Sequence, residues 1–123
     1  MAKENEVAII VKIPLDSGWL TGRYDENSKF DDIRSRWTND DKKVRSELVN
    51  KVKKIIPDEN KIVQTAIAFC LAFDAVSTVI PGNKNIKQLM SNLESTNEPI
   101  SEELVKRLQS FYKEEVESLH LPW

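Results

Sequence analysis

IVQTAIAFCLAFDAVSTVI, residues 62–80, decides how the rest of this chain must be arranged. It holds 19 positions and a single charge, Asp74. Its length and composition approach those of a membrane span, which needs about 20 apolar residues. Three features weigh against a span. Gln64, Thr65, Asp74, Ser77 and Thr78 are scattered through it, and an aspartate near a bilayer centre costs roughly 3 kcal/mol. Neither end carries aromatic anchors or a basic flank. The neighbouring segments are amphipathic, and their apolar stripes need a surface to cover. The stretch therefore reads as a central helix surrounded by its neighbours, opened by Asp58 as N-cap and running to about Ile80, where Pro81-Gly82-Asn83 breaks it. Ala66, Ala68, Ala72 and Ala75 let other helices approach closely. Cys70 reads as a small core residue, made inert by burial. At 100° per residue Asp74 falls beside Val63, Ile67, Cys70 and Leu71, on an apolar arc, and needs a Lys, Arg or Trp donor from a neighbouring helix or chain.

Helical punctuation continues on both sides. Downstream, Ile86, Leu89, Met90 and Leu93 mark a short helix. Ser101 caps a further one, with Glu102 and Glu103 favourable in its first turn and a stripe through Leu104, Leu108 and Phe111. Upstream, Thr38 followed by Asp41 is a capping signature, and Val44, Leu48, Val52, Ile55 and Ile56 recur at helical spacing until Pro57. Ser28 with Asp31 opens a short helix to about Trp37. Val7–Ile13 (VAIIVKI) is β-branched and stops at Pro14, so it reads as a strand. Its nearby partner is Gly18–Tyr24 (GWLTGRY), with PLDS as the turn; failing that hairpin, the strand pairs with another chain. The fold expected is mainly α, a bundle of about five helices with a short N-terminal β-hairpin or strand. Residues 1–123 form one helical domain in this reading: a β element over 7–24, the bundle over 28–119 and a tail over 120–123.

Composition narrows the chemistry. The 123 residues include 18 basic and 20 acidic side chains, one His, one Cys and three Gly. A lone Cys70 excludes an internal disulfide framework and a multi-thiolate metal site, and a lone His120 excludes a histidine-rich metal centre. Three glycines leave no Gly-rich loop to cradle phosphates. The adjacent carboxylates Asp31-Asp32, Asp40-Asp41, Glu102-Glu103 and Glu114-Glu115 diverge by 100° on a helix and are not catalytic dyads. Cys70, His120 and Asp74 are in principle a nucleophile, a base and an orienter, but Cys70 sits in the most apolar segment and His120 near the end of the chain. No enzyme is expected, and no cofactor. The chain does not open with a charged leader and an apolar stretch, so the cytoplasm is the expected location.

Charge is uneven. Residues 34–54 carry 8 basic and 3 acidic side chains, whereas residues 94–123 carry 3 and 7. The basic block falls on the helix KKVRSELVNKVKK, opposite its apolar arc; Arg45 lies inside that arc, where it packs its stem or meets a carboxylate. A row of cations of this kind lies along a phosphate backbone without reading bases. The candidate nucleic-acid-binding residues are Arg34, Arg36, Lys42, Lys43, Lys51, Lys53 and Lys54. The competing reading is a solvated face, or one paired with the acidic final helix. Trp19, Trp37 and Trp123 either stack bases or anchor a core or interface, and Trp19 and Trp123 are the residues expected at a partner interface.

The size, the helices from Ser28 to about Leu119 and the Lys42–Lys54 face together resemble the small subunits of CRISPR effector complexes. That resemblance implies a compact helical protein without catalytic residues, whose repeated copies line up and whose basic helix faces support nucleic-acid backbones. The function expected is a non-catalytic subunit of a nucleoprotein assembly. The alternative is a protein-binding adaptor or regulator that forms a homo- or hetero-oligomer without nucleic acid. The partners expected are nucleic acid, bound independently of sequence, and other protein subunits, with no membrane.

Overall fold

The computed structural model describes residues 2–97 and 99–121. Its elements run β1 (Ile9–Lys12), α1 (Asn39–Ile55), α2 (Ile62–Leu71), β2 (Val76–Ile80), α3 (Ile86–Glu94) and α4 (Glu102–Phe111). Short 3₁₀ turns lie between them, at Asp16–Thr21, Ile33–Arg36 and Glu59–Lys61. The chain is mostly helical with a two-stranded sheet, as the residue pattern suggests at that coarse level.

The sheet is parallel. Ile10 lies opposite Thr78, Val11 opposite Val79 and Lys12 opposite Ile80, with an irregularity between Ile9 and Ile10. Parallel strands need a long crossover, supplied here by α1 and α2. This corrects the expected hairpin. Gly18–Tyr24 does not extend beside Val7–Ile13, because Asp16, Ser17, Gly18 and Gly22 all adopt positive φ and curl the segment into 3₁₀ turns. The strand's true partner, Val76–Ile80, is a β-branched run of its own.

The same finding corrects the expected long central helix. The helix ends at Leu71, and a turn closes where the Val76 amide donates to the Phe73 carbonyl at 2.8 Å. Val76, Thr78, Val79 and Ile80 lose χ1 freedom in a helix and fit the pleated surface of a sheet. Among the described residues no helix is long and apolar enough to cross a membrane. The short helix expected from Ser28 is reduced to the 3₁₀ turn Ile33–Arg36, capped by Asp32. Ser28 instead closes a turn with Asp25, accepting from its amide at 2.9 Å.

Other local signals act as their chemistry requires. The capping box is complete: the Asp41 amide donates to Thr38 Oγ1 at 3.1 Å, and the Thr38 amide to Asp41 Oδ2 at 2.9 Å. Ser101 Oγ accepts from the Leu104 amide at 3.2 Å. The core gathers around Trp19, Trp37, Val49, Ile56 and Ile62, with Tyr24 and Phe30 packed on it. Trp19 has no exposed surface at all. Its ring lies 5.9 to 6.2 Å from those of Tyr24, Phe30 and Trp37, within the range of favourable edge and tilted aromatic pairs. Arg45 is buried beneath this cluster; its Nη1 reaches Asp16 Oδ2 at 2.6 Å and its guanidinium stacks 4.7 Å from the Trp37 ring. The carboxylate supplies the partner that a buried cation requires.

Candidate functional site

In a parallel sheet, ligands bind beyond the carboxyl ends of the strands, where the following loops diverge. Here those ends are Lys12 and Ile80, side by side. The loops that follow them enclose a cleft of 1370 Å³.

The first wall follows β1. The chain turns sharply after Ile13, itself at φ 57°. Gly18 sits at φ +98°, and a β-carbon there would lie 2.9 Å from the Tyr24 ring, so both conformation and space demand glycine. Arg34 holds this wall together. It forks onto Asp32 with contacts at 2.6 and 2.9 Å, donates to the Tyr24 hydroxyl at 2.8 Å and reaches the Ser17 carbonyl at 3.4 Å. Its guanidinium also stacks 5.2 Å from the Tyr24 ring and 4.7 Å from the Phe30 ring. Hydrogen bonds from the Arg34 side chain, then from its amide, hold the Asp32 carboxyl down at about 2. The same pair raises the Arg34 pKa, with the hydrogen bond to Asp32 as the leading cause.

The second wall follows β2 and is built from Pro81-Gly82-Asn83-Lys84-Asn85 and α3. Side-chain amides shape it. Asn85 caps the helix by accepting from the Gln88 amide at 2.9 Å, and Gln88 Oε1 accepts from the Lys84 amide at 2.7 Å. Buried Asn92 donates to Asn83 Oδ1 at 2.7 Å and pins the loop to the helix. The first amides of α3, on Ile86 and Lys87, precede the helical ladder and remain donors at its positive end. Lys84 and Lys87 border the cleft on this side, and Lys53 of α1 also lines it. Lys53 Nζ also reaches the Gly22 carbonyl at 3.4 Å. Of the carboxylates along the cleft, Asp32 is already matched by Arg34, and Glu59 lies at the edge of α2. The cleft is thus a donor-rich, cationic space suited to an anion.

A second cavity, of 1020 Å³, lies between α1, α2 and α4 and is lined mainly by apolar side chains, with Cys70 among them. Burial pushes the Cys70 thiol up. Among the described residues no group of three His, Cys, Asp or Glu side chains stands together for a metal ion.

The residues singled out for nucleic acid are dispersed. Arg34 and Lys53 border the cleft. Lys42 donates to the Ser28 carbonyl at 3.2 Å, and Lys51 pairs with Glu115 of the C-terminal segment at 2.7 Å. Arg36 lies over the Trp37 ring at 5.7 Å, while Lys43 and Lys54 are exposed. Trp19 sits in the chain's own core, where its aromatic neighbours enclose it. Trp123 lies outside the described residues. Asp74, placed on a buried arc by helical periodicity, is exposed on the turn after α2 and pairs with Lys3 at 2.6 Å. Hydrogen bonding from that ammonium is the leading cause that lowers its pKa. Sequence reasoning missed Lys84, Asn85 and Lys87. The signal was present in PGNKN directly after VSTVI, a strand, a turn and a helix cap in succession.

Comparison with known proteins settles the kinship. The model of the aldo/keto reductase family matches residues 1–113. The chain is similar to a fission-yeast (Schizosaccharomyces pombe) protein named aldo-keto reductase yakc [NADP(+)], with 31% identity over 113 residues, 87% of this chain and 33% of that one. It is also similar to the uncharacterized oxidoreductase YqkF of Bacillus subtilis, with 22% identity over 121 residues, 98% of this chain and 39% of the other. The chain therefore spans between a third and two-fifths of the length of these curated relatives. These matches overturn the resemblance to CRISPR effector small subunits and the expectation of a non-catalytic nucleoprotein subunit or adaptor. They equally overturn the expectation that no enzyme is involved, and the nucleic-acid and subunit partners inferred with it. The physical reason is local. A lysine-rich helix face is common to many folds, and here several of its cations are engaged by the chain's own groups.

Proposed function

Because the chain belongs to the aldo/keto reductase family, we propose that it builds the phosphate-holding end of an NADP-linked oxidoreductase acting on aldehydes or ketones. The observation that supports this most is the cationic cleft at the carboxyl ends of β1 and β2, which Lys53, Lys84 and Lys87 line and which the start of α3 borders. The residues fit a phosphate group by their chemistry. They are ammonium groups and amides, all donors, and the Asp32 carboxylate nearby is already bound by Arg34. When bound, the nicotinamide cofactor supplies the hydride that reduces a carbonyl carbon. The chain's own residues bind and orient. Lys84 and Lys87 neutralise phosphate charge, the amides of Ile86 and Lys87 fix its direction at the positive end of the helix, and the first wall excludes water from the opposite side.

The yeast relative's name specifies NADP(+), and an additional phosphate is what a lysine-rich wall discriminates. Calorimetric titration tests the reading. NADP+ is expected to bind more tightly than NAD+, with an advantage that shrinks as salt rises. Lys84→Glu is expected to weaken NADP+ by about tenfold or more, since hydrogen bonds to charged groups contribute about 1.5–3 kcal/mol, and to leave NAD+ nearly unchanged. Equal affinity for the two nucleotides, or a Lys84→Glu chain that binds NADP+ as before, sinks the proposal. Oxidation of NADPH by the protein with a panel of aldehydes and ketones tests the reductase activity itself.

A further inference from the structure

We propose that Arg34 is a positioning residue for the dinucleotide: it latches the first wall of the cleft in the shape that covers the part of the nucleotide lying beyond the phosphate. The inference rests on the nucleotide reading above and adds a role for a side chain that touches no phosphate in it. Three strands of observation converge on this guanidinium. It joins the beginning, middle and end of the loop between β1 and α1, through the Ser17 carbonyl, the Tyr24 hydroxyl and the Asp32 carboxylate. It lies over the rings of Tyr24 and Phe30, themselves in edge-to-face contact at 5.0 Å, which tie it to the aromatic core. Its side chain is only 19% exposed, in a loop of otherwise irregular backbone.

The loop's other side-chain fastenings each hold one point, Asp16 by Arg45, Ser28 by Lys42 and Gly22 by Lys53, whereas Arg34 ties three together. Outside the 3₁₀ turns it has no strand ladder, and Gly18, where an added β-carbon would lie 2.9 Å from the Tyr24 ring, leaves that ring room beside the turn. A planar fork with donors on several edges can serve three acceptors at once, whereas an ammonium on a flexible stem cannot. Lysine at position 34 keeps the charge and loses the latch. The consequence is kinetic. A wall that opens more often releases a long ligand faster, while a ligand held by the second wall alone is indifferent to it.

Two probes separate the walls: NADP+, long enough to meet both, and adenosine 2′-phosphate, which offers a phosphate to the second wall only. In stopped-flow fluorescence, Arg34→Ala is expected to accelerate NADP+ dissociation about tenfold, which corresponds to about 1.4 kcal/mol. Adenosine 2′-phosphate affinity should stay within about twofold, and Arg34→Lys should behave like Arg34→Ala, because charge alone does not restore the fork. Asp32→Asn, at an exposed position, gives a second variant should Arg34→Ala fail to fold; a three- to fivefold acceleration is expected, roughly half the latch in free-energy terms. Unchanged NADP+ dissociation in these variants overturns the proposal. So does equal weakening of both probes with a lower melting temperature, since that is the signature of a merely structural residue. A wild-type chain that binds neither probe removes the nucleotide reading itself, an outcome distinct from failure of the latch alone.

Discussion

Two regions face each other across the cleft and are built in opposite ways. The loop between β1 and α1 has an irregular backbone, with several residues at positive φ, yet it contains the most completely buried large side chain among the described residues, Trp19, and the aromatic cluster around it. Helix α3 has a regular, well-capped backbone, yet Ile86, Leu89, Met90 and Leu93 are between 43% and 78% exposed. Backbone regularity and side-chain burial are therefore independent sources of order here. The first wall holds its shape through packing and the guanidinium groups of Arg34 and Arg45, the second through hydrogen bonds along its own backbone and side-chain amides.

The contrast fails if substitutions in the loop cost no more than those in the helix. The largest effect is expected from Trp19→Ala, which should destabilise the chain by about 3–5 kcal/mol, as truncation of a buried aromatic does; the shift of the thermal midpoint measures it. Trp19→Phe should cost much less, because the indole Nε1–H it removes has no hydrogen-bond partner among the described residues. Asp16→Ala comes next. It leaves the buried Arg45 without its carboxylate, and a loss of about 2 kcal/mol is expected, below the range for a wholly buried pair because Asp16 is partly exposed. Urea titration with an unchanged slope reports it. Thr38→Ala removes one half of the capping box at the junction of loop and helix and should cost about 1 kcal/mol.

A smaller, reversible effect is expected in acid. The Asp32 carboxyl is held at about 2 in the folded chain, against an ordinary 3.8. Its contribution is therefore present in full above 3.8 and lost as the pH falls through about 2, because protonation removes the acceptor from Arg34. Fluorescence of Tyr24 and the nearby tryptophans should change in that window, and Asp32→Asn should abolish the change. The smallest effect belongs to the helix: Leu89→Ser and Leu93→Ser, at exposed positions, should each alter stability by no more than about 0.5 kcal/mol. A large loss there, by chemical denaturation, ends the distinction between the walls.

The helices were legible in the sequence where capping chemistry and apolar spacing agreed. Thr38 with Asp41, the apolar positions up to Ile55, and Ser101 with its stripe are of this kind. The strand Val76–Ile80 was hidden because it continues an apolar stretch with no proline or glycine to divide it. The dividing signal is the change from Ala, Phe and Leu over 66–73 to Val, Thr and Ile over 76–80, with Asp74 between them. The partner of Val7–Ile13 was illegible for a different reason. Strand pairing across more than sixty residues is decided by tertiary packing, which no local pattern encodes. The cleft suffered most. Its walls come from distant segments, and its lysines at 84 and 87 stand alone in the sequence, whereas the lysines over 42–54 lie together on one helix.

The half-buried Cys70 has a practical consequence. It is the chain's sole thiol, and burial keeps its thiolate scarce near neutral pH, so alkylating reagents should modify it slowly while α2 stays packed. The rate of its labelling then becomes a clock for the opening of that helix, readable by mass spectrometry without any engineered tag.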